Sequence, residues 1–110
     1  MAIAYKILGQ SAPADTNNAD MITVSAAQSE IVSSLVITNT NANAATARVF
    51  ARIAGAAAAT SNAIIYDTTI AGNSTVAFTL GITLAATDVL TVRSNIANYL
   101  TFTAFGSEIS

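Results

Sequence analysis

The chain has no cysteine, no histidine and no tryptophan, and a single proline. Without Cys and His, the usual ligand sets for zinc, copper, haem and iron–sulfur clusters are missing, as are the Ser-His-Asp and Cys-His nucleophile arrangements. These absences exclude most enzyme classes, and no cofactor is expected. Zero cysteines also point to synthesis in a reducing compartment. Charge is scarce as well: only 9% of the 110 residues are charged, with Lys6, Arg48, Arg52 and Arg93 the only cations and a formal net charge of −2. Four cations cannot build the basic footprint that nucleic acid requires, so DNA and RNA are not expected partners. No apolar run approaches the roughly 18 residues of a membrane helix. The apolar stretch Ile7-Leu8-Gly9 is too short for a signal-peptide core, so no export and no membrane are expected.

What the chain does have is 53% hydrophobic residues, dispersed among Thr, Ser, Asn and Ala, enough to exclude disorder and to build one domain spanning residues 1–110. Ile, Val, Thr, Phe and Tyr dominate the patterned segments, and these types fit a pleated, half-buried surface. In Ala47 to Ala54, Val49, Ala51 and Ile53 alternate with Arg48, Phe50 and Arg52, a period of two that a helix would scramble. Thr75 to Leu80 and Tyr99 to Ala104 repeat the pattern. Ile31 to Thr40 is apolar on both faces through Leu35-Val36-Ile37, as in a central strand. Ala4–Leu8, Met21–Val24, Ile64–Ile70 and Asp88–Ser94 raise the count to about eight. Turn signals separate them at Asn39–Asn43, Ala71-Gly72-Asn73 and Asn95–Asn98. The Ala-rich run 54–59 is interrupted by Gly55 and is too short to nucleate a helix, so it reads as a loop. The expected fold is all-β: a single-domain β-sandwich of about eight short antiparallel strands, jelly-roll or immunoglobulin-like. Its expected core is Leu35, Ile37, Val49, Ile53, Val76, Phe78, Leu80, Leu90, Val92, Leu100 and Phe102.

The six carboxylates lie beside predicted turns or strand ends, and no spacing puts two of them on one strand face. Catalysis by a carboxylate pair is therefore not expected, nor is a metal site; Asp15, Asn17, Asn18 and Asp20 lack the pattern of a calcium loop. Residues 1–14, with Ile3, Tyr5 and Ile7 on one side and a break at Gly9-Gln10-Ser11-Ala12-Pro13, form either an extended N-terminal arm that pairs with a neighbour or an edge strand of the sandwich itself. Arg48 and Arg52 flank Phe50 on one strand face, and Arg93 joins them across a sheet; guanidiniums beside an aromatic suit a protein contact. Tyr99 and Phe105 fall opposite Leu100 and Phe102. The candidate subunit contacts are thus Ile3, Tyr5, Ile7, Arg48, Phe50, Arg52, Tyr99 and Phe105.

AYKILGQSAPADTN near the start, IVSSLVITNTNANAATARV, YDTTIAGNSTVAFTLGITLAATDVLTVRSN, and LTFTAFGSEIS at the end resemble a family of small virion structural proteins of tailed bacteriophages, particularly cyanophages. The resemblance spans nearly the whole chain and carries no catalytic motif. It implies a non-enzymatic virion component made in the host cytoplasm, with other virion proteins as partners: the major capsid protein, or tail and neck proteins. A neutral sandwich with an apolar arm fits a capsid decoration or cement protein, repeated as a homo-oligomer for which a trimer is preferred. The rival readings are a small subunit of the neck, baseplate or tail fibre, and a carbohydrate-binding module, which the lack of Trp disfavours.

Overall fold

The computed structural model describes residues 1–110 and shows nine strands. They are β1 (Ile3–Ser11), β2 (Ala19–Thr23), β3 (Ser29–Asn39), β4 (Ala45–Arg52), β5 (Ala63–Ile70), β6 (Thr75–Phe78), β7 (Ile82–Leu84), β8 (Val89–Ser94) and β9 (Leu100–Ile109). All pairings are antiparallel, in a larger sheet ordered β1-β9-β3-β6 with β7 also on β3, and a smaller sheet ordered β2-β8-β4-β5. β6 pairs Leu35 to Thr38 and β7 pairs Glu30 to Val32 of the same strand. The two are one strand interrupted at Thr79-Leu80-Gly81, where Gly81 takes a φ of +62° that an L side chain rarely adopts. Counted so, eight strands pair first with last, second with seventh, third with sixth and fourth with fifth, which is the wiring of a jelly roll.

In this wiring every connection except β4–β5 changes sheets, so the turn signals at Asn39–Asn43 and Ala71-Gly72-Asn73 do not close hairpins. The segments Asn39–Asn43 and Ala71-Gly72-Asn73 are corners that carry the chain from one sheet to the other. The two corners are pinned together by Asn39, which is 1% exposed. Its Nδ2 donates to the carbonyls of Asn43 (2.9 Å) and Ile70 (3.1 Å), and its Oδ1 accepts from the Asn41 amide (2.9 Å). The Asn73 amide donates to the Asn41 carbonyl at 2.8 Å. Gly72 sits so close that a Cβ there would lie 2.1 Å from the Ala42 oxygen.

The core lies between the sheets and contains Leu35, Ile37, Val49, Leu90, Val92, Leu100 and Phe102, as expected, together with Ile22, Val32, Ile65, Ile70, Leu84 and Ala104. Val76 and Phe78 are half-buried against it, on the sheet's edge. Two expected core residues are not there: Ile53 is 79% exposed and Leu80 50%. In both the alternation runs past the end of its strand, Ile53 entering a 3-10 turn (Ile53–Gly55) and Leu80 the break between β6 and β7.

Phe50 is a further correction. It faces outward with Arg48 and Tyr66, yet it is only 4% exposed, because the loop through Ala58, Ala59 and Thr60 folds over it. Arg52 holds that loop down, its Nε donating to the Ala56 carbonyl (2.6 Å) and Nη2 to the Gly55 carbonyl (3.0 Å). The alanines therefore act as a lid of small side chains, which is why they need neither helix nor charge.

Candidate interaction face

β1 settles the question of the N-terminal segment within this chain: it pairs along β9 from Ile3↔Ile109 to Ser11↔Phe102 and forms the edge of the larger sheet. A bulge between Ile7 and Gly9 shifts the alternation. Leu8 then packs against the core, while Ile3, Tyr5 and Ile7 stay on the outside, 48%, 85% and 52% exposed. The register sets Ile7 beside Phe105 and Tyr5 beside Ser107, and Ser107 in turn beside Ile31 on β3. Ile31 and Phe105 are exposed too. A bulge in β3 between Val32 and Ser34 lets the Ser33 hydroxyl donate to the Phe105 carbonyl at 3.2 Å, which pins the strand under the aromatic ring. The result is a strip of apolar side chains on a strand face, with a shallow groove of about 530 Å³ between Tyr5, Ile7, Ile31 and Phe105.

Of the expected contact residues, Ile3, Tyr5, Ile7 and Phe105 come together on this face. Tyr99 does not: it is half-buried against the core at the far end of β9 from Phe105, and its carbonyl is bonded by the Thr40 amide. Arg48 and Arg52 lie on the outer face of the smaller sheet, with Phe50 covered between them. Arg52 is occupied on every side, since its Nη1 also donates to Asp20 (2.8 Å) and to Thr91 (3.0 Å). It is a brace of the fold rather than a free anchor. The loop set Asp15, Asn17, Asn18 and Asp20 is likewise drawn apart, because Asp15 caps the Asn17 amide and Asp20 turns to Arg52.

A feature with no signal in the sequence lies at the open end of the larger sheet. Glu30 on β3 and Glu108 on β9 are direct cross-strand partners. They share one sheet face although neither strand alone carries two acids. Glu108 is paired with Lys6 at 3.0 Å, but Glu30 is 5% exposed and its Oε1 has no partner. Burial, and then the neighbouring Glu108 charge, raise the Glu30 pKa above its ordinary value of 4.5, against a smaller opposing pull from Lys6. An acid that binds its proton more tightly folded than unfolded adds stability at low pH, and that stability is lost as pH rises through its raised value. Asp67 works the other way: its bonds to Arg48 lower its pKa, so its contribution is present at neutral pH and lost in acid. Glu30→Gln should therefore raise the melting temperature at pH 7 by ~4 °C, about 1 kcal/mol, by removing the unpaired buried charge. It should also flatten the fall in stability between pH 4.5 and neutrality; a melting temperature that drops at pH 7 would contradict this.

Compared with known proteins, the chain matches no family model and no curated sequence.

Proposed function

We propose that this chain is a non-enzymatic virion structural protein of a tailed bacteriophage, repeated on the capsid as a decoration or cement subunit and working as a homo-oligomer, with a trimer preferred. The observation that carries the reading is the apolar strip Ile3, Tyr5, Ile7, Ile31 and Phe105 on an otherwise charge-poor sandwich. Exposed apolar patches of this kind mark contact sites. The jelly-roll wiring is shared with viral capsid proteins, a likeness of fold that by itself assigns no role. The sequence resemblance adds the setting.

The energetics favour repetition. The strip offers roughly 400 Å² of apolar surface, worth ~10 kcal/mol on burial, while association costs about 4–15 kcal/mol in lost freedom. A single copy thus binds weakly, and an oligomer engaging several sites at once binds tightly through effective concentration. Capsid lattices present such repeated sites.

The test is the number of copies in purified particles, counted by calibrated mass spectrometry: hundreds per particle support a capsid decoration, a few to tens indicate the neck, baseplate or tail fibre, and none rejects the reading. The double variant Tyr5→Lys, Ile7→Lys should bind particles at least ~10-fold more weakly while melting within a few degrees of the natural chain, because both side chains are already more than half exposed. Undiminished binding would remove this face from the contact.

A further inference from the structure

The outer face of the smaller sheet carries a second polar feature that the contact strip does not involve. Arg48 on β4 and Arg93 on β8 are direct cross-strand partners, an arrangement that sets two like charges about 5 Å apart at their Cβ atoms and is unfavourable unless an anion lies between them. Only one carboxylate serves the pair. A bulge in β5 leaves both Tyr66 and Asp67 opposite Arg48, with Asp67 in the left-handed region at a φ of +51°. Both residues thereby reach the same guanidinium. Asp67 accepts from Arg48 Nε (2.6 Å) and Nη2 (3.1 Å), and the guanidinium lies 4.1 Å from the centre of the Tyr66 ring.

Arg93 is left over. Lys6, Arg48 and Arg52 each have a carboxylate within 3.0 Å, whereas Arg93 has none and spends only its Nε, on the Thr16 carbonyl at 2.7 Å. Beside it is a cavity of about 210 Å³ lined by Thr16, Thr46, Arg48, Asp67, Arg93 and Asn95, without one hydrophobic side chain. Its unspent groups are donors: both Nη groups of Arg93, Nη1 of Arg48, the hydroxyls of Thr16 and Thr46, and the Nδ2 of Asn95, whose Oδ1 is taken by the Thr46 amide at 2.7 Å. They come from three segments: the β1–β2 loop, β4 and the end of β8.

The geometry points to a binding site for a free inorganic oxyanion of the phosphate or sulfate class, held between Arg93 and Arg48. Net positive charge at the site, a surplus of donors and the absence of an apolar wall suit an anion. Donors arriving from three sides suit a tetrahedral group better than a planar carboxylate. Asp67 fixes the Arg48 fork and at the same time weakens the field, so the site is tuned for a loosely held ion.

Titration with sodium phosphate at pH 7, followed by NMR through the Arg Nε–H signals and the Asn95 side-chain amide, tests this. Saturable, millimolar binding is expected, with Arg48, Arg93 and Asn95 responding together and sodium sulfate competing. Arg93→Gln should weaken binding at least ~10-fold, and Asp67→Asn, which keeps a residue tolerant of positive φ, should tighten it several-fold. Lys6→Gln, an equal charge change on the other sheet, should leave the constant within ~2-fold. Linear shifts spread over the surface, an equal response to sodium acetate at matched ionic strength, or undiminished binding by Arg93→Gln would overturn the assignment.

Discussion

Phe102→Ala is expected to lower the free energy of unfolding by about 3–5 kcal/mol, a large share of the 5–15 kcal/mol typical of a domain. Phe102 is fully buried on β9, flanked by Ile37 of β3 on one side and Ser11 of β1 on the other. It is among the largest side chains wholly inside the core, and strands on both sides keep the cavity from closing. Phe78 offers the contrast. It lies on the edge strand β6 and is only half-buried, so Phe78→Ala should cost about 1–2 kcal/mol, since part of its ring already meets water and its surroundings can relax. Urea unfolding of the two variants measures the difference; equal costs would mean that the edge of the larger sheet is as tightly packed as its centre.

Asn39→Ala should cost about 2–4 kcal/mol, more than a polar-to-alanine change normally does. The substitution takes the side-chain partner from the carbonyls of Asn43 and Ile70 and from the Asn41 amide, and the bond to Ile70 is buried where water does not replace it. Asn39→Asp should be worse at pH 7, since it keeps the acceptor, loses both donors and brings a charge into the interior. Part of that loss should return in mild acid as the new carboxyl is protonated. Amide hydrogen exchange gives a second readout: Asn41 and Asn73 should exchange far faster in either variant, because the corners they bridge have come apart. Slow exchange there with unchanged stability would show that the corners hold without the side chain.

The strands were legible wherever two-residue alternation coincides with a strand covered on one face, as in β4 and β9, because that pattern is itself the imprint of one buried side. What lay outside the pattern was decided by partners far along the chain. Phe50 carries the correct face but not its burial, since the cover comes from an alanine loop that has no periodicity of its own. Ile53 and Leu80 keep the rhythm past the point where hydrogen bonding stops. β7 is too short to alternate visibly. On the candidate face, Ile3, Tyr5, Ile7 and Phe105 were readable as exposed apolar positions, but their meeting depends on the β1–β9 register. Glu30 and Glu108, and the convergence of Asp67 and Tyr66 on Arg48, were not readable at all: the first needs strands 78 residues apart in the chain to pair, the second a bulge that no residue type announces.

Pairing the first strand with the last also orders events in time. At a synthesis rate of about 5–20 residues per second, β1 leaves the ribosome several seconds before β9 exists. During that interval the smaller sheet can be wired as far as β8, while β3 and β6 meet early, but Tyr5, Ile7 and their strand wait with no template. The larger sheet therefore grows from its β6 edge through β3 and then β9, and the β1 edge is laid down last. The residues of the apolar strip are assembled into one face only at the final step of folding, so an incomplete chain does not present that face to a partner.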